Sequence, residues 1–314
     1  MSIARDNFLK RLATLKNSLS EPAISDGTPS DTEKNAVAVM LRSGLAVLAF
    51  AITEDFIRDR TAEALCGFTN PNITFNNLSE SMKKAVTISA MKGILFRLKN
   101  EDKTNQPAWV LSQLHPIANV QTSISNLSKY SFGHDQSNLN SDVLNDILSA
   151  FGVNHGWQSV TQTAKRIGLG GILDYSQAFQ ELATRRHRAA HTITAQIPMN
   201  DLNDSIKAIL GICAGFDLLL SQALSLHNAG TPPTSSTGLV IASSLKFRFI
   251  SAHPKQVGMF REQTEVDNKK TLNTYRVHST QQDAILEASP RAVAQKEQLI
   301  ILGNDGIPDR WTTW

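Results

Sequence analysis

Cysteine is almost missing from this 314-residue chain: Cys66 and Cys213 are the two present, and they lack CxxC spacing. Both fall in apolar helical stretches, where buried inert thiols are expected rather than a disulfide or a zinc site. That usage fits a reducing compartment, so a cytoplasmic location is the expectation. Aromatic residues make up only 6% of the chain, which advertises no base-stacking platform. There is no internal repeat and no Gly-rich phosphate loop of Walker or dinucleotide-binding spacing, so no cofactor is expected. The strongest apolar run, Leu45 to Ile52, is too short to span a bilayer and runs directly into Glu54 and Asp55, which predicts no transmembrane segment and no membrane partner. A signal peptide is not expected either, because the N-terminal stretch has no continuous apolar region. Its Phe8, Leu12, Leu15 and Leu19 recur instead at helical spacing, predicting a helix packed on the protein's own body. Excess charge of one sign is also missing: 31 Lys and Arg against 28 Asp and Glu leave a net +3, which permits a nucleic-acid partner without demanding one.

What is present is helical periodicity. From Asp31 to about Leu65, Val37, Met40, Leu41, Leu45, Leu48, Ala49, Ile52 and Phe56 recur at three- and four-residue steps, predicting one long amphipathic helix capped by Ser30 or Asp31. After Asn70-Pro71-Asn72, Leu78 to Leu98 reads as a second helix with Met82, Ala85, Ile88, Met91, Leu95 and Leu98 on its apolar side. Further helices are predicted at about Trp109 to Ser125, Ser141 to Phe151, Trp157 to Ile167, Ile172 to Thr194 and Leu202 to Leu226. Loop formers then fill Thr231 to Gly238, so 229–238 reads as a linker that buries nothing. Beyond it, strand-like segments at Leu239 to Ser251, Leu272 to His278 and Leu299 to Leu302 flank a helical stretch, Gln281 to Gln298, broken at Pro290. The chain is expected to be mainly α: a helical domain over 1–228, then a small α+β module over 239–314.

The densest cluster of reactive side chains is Arg185-Arg186-His187-Arg188-Ala189-Ala190-His191, with three arginines and two histidines in seven positions. One reading is decorative: the arginines pair with Glu181 or Asp174 over the helix surface and His191 fills a polar notch. Another is chemical. RNA can be cut without a metal if one group takes the ribose 2′-OH proton and another stabilises charge on the phosphate; histidine suits the first task and arginine the second. In a straight α-helix Arg186 and His191 are about 140° out of phase. Either the helix is distorted, which the β-branched run Thr192-Ile193-Thr194 makes easier, or two copies face each other across a dimer.

The stretch Arg186 to His191 fits the arginine, polar residue, three residues, histidine pattern of the HEPN superfamily (higher eukaryotes and prokaryotes nucleotide-binding), and the chain resembles the bacterial ribonuclease branch of that family. Ala51 to Arg58 is similar to its first core helix, and Ser141 to Leu148 followed by Phe151-Gly152-Val153 to the segment before the motif. The resemblance spans roughly Asp31 to Leu226. It implies an antiparallel HEPN-like helical bundle that dimerises with motif helices side by side and cuts RNA without metal in toxin–antitoxin or antiviral settings, leaving 2′,3′-cyclic phosphate and 5′-OH ends. Carried over, Arg186 and His191 match the catalytic arginine and histidine, and His187 takes the polar position that is most often asparagine. Arg188 and Arg185 are then candidate substrate contacts, and Lys165 and Arg166 could add local positive potential.

Glu54 on the first core helix could orient Arg186 or His191, or form a surface pair with Arg58 four residues on. His187 and His191 also have the spacing of paired metal ligands, but Arg188 stands where a zinc protease has glutamate and repels a dication, so no metal is expected. His115, His134, His155, His227, His253 and His278 are scattered without spacing and read as structural or surface residues. The expected partners are RNA, a second copy of the chain, and an antitoxin or defence component recruited by the C-terminal module. A rival expectation is a non-catalytic binding or scaffold protein that uses the same basic helix to hold nucleic acid or nucleotide.

Overall fold

A computed structural model of the protein describes residues 2–192, 195–266 and 269–313. Its helices are α1 (Ile3–Ser18), α2 (Thr32–Leu65), α3 (Glu80–Lys84), α4 (Ala90–Leu98), α5 (Gln106–Ala118), α6 (Ser141–Ala150), α7 (Gly156–Arg166), α8 (Tyr175–His191), α9 (Met199–Asn228) and α10 (Gln281–Gln295). Five strands, β1 (Phe247–Ala252), β2 (Phe260–Val266), β3 (Lys269–His278), β4 (Gln298–Leu302) and β5 (Pro308–Thr312), form one sheet in the order β3-β2-β1-β4-β5. The second predicted helix is two helices joined by a π turn over Ala85–Ser89. A π turn re-aims side chains by one residue, and Ile88, Met91 and Leu95 of the predicted apolar side stand exposed.

The centre of the body is α9, buried on nearly all sides from Ala208 to Ala223. Around it pack α1, α2, α7 and α8. Gly211 on α9 is what lets α8 start where it does: a Cβ there would lie 2.2 Å from the Tyr175 ring, and the Tyr175 hydroxyl donates to the Leu169 carbonyl at 3.0 Å. Asp174 caps α8 by accepting from the Ser176 and Gln177 amides. Phe50 of α2 meets Phe179 of α8 at 5.5 Å between ring centroids, so the two helices lie against each other along an aromatic contact.

The C-terminal segment is not a free appendage. β1 is buried on both faces, and its side chains alternate between them: Phe247 and Phe249 join the helical core, together with Ile300 and Trp311, while Ile250, Leu299 and Ile301 turn to the other face and pack on Ala284, Ala288 and Ala292 of α10. α10 is the crossover that makes β4 parallel to β1. It runs unbroken through Pro290, contrary to the sequence expectation, because Pro290 is on the exposed face, as is Leu286, whose carbonyl loses its amide partner there. The linker expectation also fails in part. Pro233 is buried, its carbonyl 2.5 Å from where a Cβ on Gly152 would sit, and Thr234 and Thr237 brace the turn through their hydroxyls. Strand β2 was invisible in the sequence because its Arg, Glu, Gln and Thr residues carry no apolar alternation.

By length and composition alone, α2 and α9 would each be apolar enough to cross a membrane. In the fold the apolar window of α9 is 83% buried in protein and that of α2 33%. Along α2, Val37, Met40, Leu41 and Leu48 of the predicted apolar stripe are exposed, while the face turned inward carries Arg42, Glu54 and Arg60 as well as Phe50 and Phe56.

Candidate active site

On α8 the stripe that faces the body reads Ala178, Phe179 and Leu182, all buried. Steps of three and four carry it on to Arg186 and then to Ala189, which packs with Ala46, Ile197 and Leu202. Arg186 is therefore half-buried on the side of α2, whereas His187, Arg188 and His191 are exposed. The helix keeps α-helical form to His191 and is closed by Thr192, whose amide donates to the Arg188 carbonyl at 2.9 Å. Distortion within the helix is not how Arg186 and His191 could meet. The rest of the β-branched run, Ile193 and Thr194, lies outside the described residues.

His187 and His191, one turn apart, bring their ring centroids to 4.7 Å. No third His, Cys, Asp or Glu joins them among the described residues. Arg188 and His191 occupy the last turn of the helix, where positive side chains complement the carbonyl end of the dipole. Neither makes an ion pair with a described residue.

Arg185 differs from its neighbours. Its guanidinium reaches Asp201 at 3.3 Å and Glu181 at 3.5 Å, and also Ser205. The charge that the sequence offered to substrate is largely spent on joining α8 to the start of α9. Arg166 is likewise withdrawn: it pairs with Glu265, donates to the Ala242 and Leu245 carbonyls and lies 4.7 Å over the Phe247 ring, tying α7 to the sheet.

Glu54 is not a surface residue. It is 7% exposed and accepts the Leu139 amide, and Arg58 stands 3.8 Å away. Burial pushes its carboxyl above the usual range, opposed by the Leu139 amide and by the charges of Arg58 and Arg186. The Arg186 guanidinium is thus close enough for its charge to act on Glu54. So Glu54 is buried and Arg186 half-buried, near enough for the charge of one to act on the other, while His187, Arg188 and His191 are exposed.

Sequence reasoning passed over a second neighbourhood on the far side of Arg58. Arg58 donates to the Gly133 carbonyl at 3.2 Å, and His134 follows directly in the chain. Arg97 of α4 and Lys129 act on the same imidazole. Nothing in the spacing of positions 58, 97, 129 and 134 could have gathered them, because only the packing of α2, α4 and the 129–139 loop does so.

Residues 7–222 match the model of the family described as RiboL-PSP-HEPN. No curated protein and no solved structure matches the chain.

Proposed function

The chain belongs to the RiboL-PSP-HEPN family, whose superfamily commonly comprises ribonucleases, and from that membership we propose that it is a metal-independent endoribonuclease working at the end of α8. The observation that carries the reading is the division of labour on one helix. Arg186 is half-buried on the α2 side, near enough for its charge to act on Glu54, while His187 and His191 are exposed, with no acid bound to them among the described residues.

In this reaction His191 takes the proton of a ribose 2′-OH, and the freed oxygen attacks the adjacent phosphorus. Arg186 stabilises the charge that gathers on the phosphorane oxygens. The P–O5′ bond then breaks, the imidazolium returns a proton to the leaving oxygen, and the products are a 2′,3′-cyclic phosphate and a 5′-OH. His187 and Arg188 assist by position and charge.

Since Arg186 and His191 diverge by about 140° on a regular helix, a complete site needs a second copy. We therefore read the active form as a cytoplasmic homodimer with its motif helices side by side. The exposed Val37, Met40, Leu41 and Leu48 of α2, the helix against which α8 packs, offer apolar surface for that copy to cover. A toxin or antiviral role, with a partner engaged by the C-terminal segment, is the setting that fits such an enzyme. The same divergence favours the binding-only reading if the chain proves monomeric.

The deciding experiment is RNA cleavage by the purified chain in excess EDTA, with end-group analysis and sedimentation in parallel. Cyclic-phosphate ends from a dimer, lost in His191→Ala, are expected. A monomer that cuts RNA removes the shared-site argument, and a dimer that binds RNA without cutting it leaves the binding module.

A further inference from the structure

The loop at 129–139 and the end of α4 enclose a group of cations with few acids to answer them. Gly93 fixes the contact: a Cβ there would meet the Tyr130 carbonyl at 2.6 Å and the His134 Cβ at 3.1 Å. Arg97 is four residues on, hence on the same face of α4. Its Nε and the Nδ1 of His134 are both buried with no hydrogen-bond partner among the described residues. A buried polar atom left unpaired is costly: the Arg97 Nε–H calls for an acceptor, and so does His134 Nδ1 when it carries the ring proton.

The surroundings say what kind. Burial first, and then the charges of Arg58, Arg97 and Lys129, drive the His134 pKa down to about 3. Of the acids nearby, Glu54 is taken by Leu139 and Arg58, Asp55 pairs with Arg11 at 2.8 Å, Asp135 next to His134 is exposed, and the exposed Asp59 is shared between Arg11 and Lys129. Beside the notch, Tyr130 sets its ring edge-on to His134 at 5.0 Å and to Trp109 at 5.9 Å, with the Lys129 ammonium 5.2 Å over the Tyr130 ring. Guanidinium, imidazole and ammonium beside aromatic rings make a setting for a phosphate attached to a base.

We propose that Arg97 and His134, with Lys129 at the mouth and Arg58 holding the loop from below, form a phosphate-binding subsite that grips the RNA backbone away from the bond being cut. It rests on the ribonuclease reading for the identity of its ligand. The link to the α8 site is Glu54, which stands one helical turn from Arg58 and feels Arg186. A strand crossing this part of α2 would touch both.

The test follows the His134 ring by NMR in the full-length protein. Inorganic phosphate is titrated first, then a short RNA made uncleavable by 2′-O-methylation. Both should shift the His134 signals and raise its pKa. Arg97→Gln should weaken both at least about fivefold and lower the salt slope of RNA binding by about 0.7, the share of one single-strand phosphate. Still signals at His134 with both probes, or equal affinity and salt slope in wild type and Arg97→Gln, would overturn the subsite. Response to phosphate but not to the RNA leaves an adventitious ion only and overturns it as well. If His134 responds to both probes while no RNA is ever cut, the subsite stands and the ribonuclease reading falls.

Discussion

Asp217 and the end of α8 are both rich in arginine, yet they handle charge in opposite ways. Asp217 is fully buried, and its two oxygens accept from Arg5 at 2.7 Å, Arg60 at 2.6 Å, Ser221 at 3.1 Å and the Trp311 indole at 2.8 Å. These contacts join α1, α2, α9 and β5. At the end of α8, His187, Arg188 and His191 are exposed, with no acid bound to them among the described residues. Taking a charge out of water costs several kcal/mol, so a charge in a core persists only when paired. A basic side chain left unpaired at the surface costs folding little and keeps its charge for a ligand. Pairing therefore separates the arginines that hold this chain together from those free to act on something else.

The sharpest break of that comparison is Asp217→Ala, which leaves Arg5 and Arg60 uncompensated and should cost about 3–5 kcal/mol of stability. Urea denaturation would measure it, and a midpoint close to wild type would mean the knot is not the staple its geometry describes. His191→Ala should do the reverse. Cleavage should fall about 10²-fold or more, while the melting temperature stays put because alanine is the better helix former. Full activity in that variant removes the catalytic assignment.

A pH series probes the same contrast through His134. Its folded pKa lies far below the ordinary histidine value of 6.5, so between pH 6.5 and about 3 the unfolded chain binds the extra proton. Stability should drop as pH falls through that window, by at most about 1.4 kcal/mol per pH unit from this group. His227 is shifted the same way and adds to the slope. His134→Gln should remove its share of the slope, read as melting temperature against pH. Asp217, whose pKa is depressed by Arg5 and Arg60 against the cost of burial, should contribute only in stronger acid, its stabilisation being lost as pH falls below the usual aspartate range. The smallest effect is expected from Arg188→Ala, which should weaken RNA binding a few-fold with little change in the cleavage step. If it harms the rate as much as Arg186→Ala, the end of α8 is an undifferentiated basic patch.

The long helices were legible because apolar residues recur at three- and four-residue steps, as in Leu45, Ala49, Ile52 and Phe56 of α2 and in Phe179 and Leu182 of α8. Family membership was legible for a different reason, the spacing of Arg186, His187 and His191 along one helix. The exposure of Cys66 was not, since a thiol at the end of α2 reads as core until the chain that covers the neighbouring turns is placed. Nor was the fate of Arg185: Glu181 was in view at four residues, but Asp201 arrives only when α9 turns back beside α8.

By itself the sequence determined the helical body, the order of its long helices and the turn where arginine and histidine concentrate, because local periodicity and side-chain chemistry act over distances the chain spells out. Which charges are spent and which remain free was decided by tertiary structure alone. Glu54 is buried and accepts the Leu139 amide, Asp217 is caught between Arg5, Arg60 and Trp311, and Arg97 and His134 each keep a buried nitrogen with no hydrogen-bond partner among the described residues. Electrostatic energy depends on distance through space and on the loss of water, and neither is written in the spacing of residues along a chain.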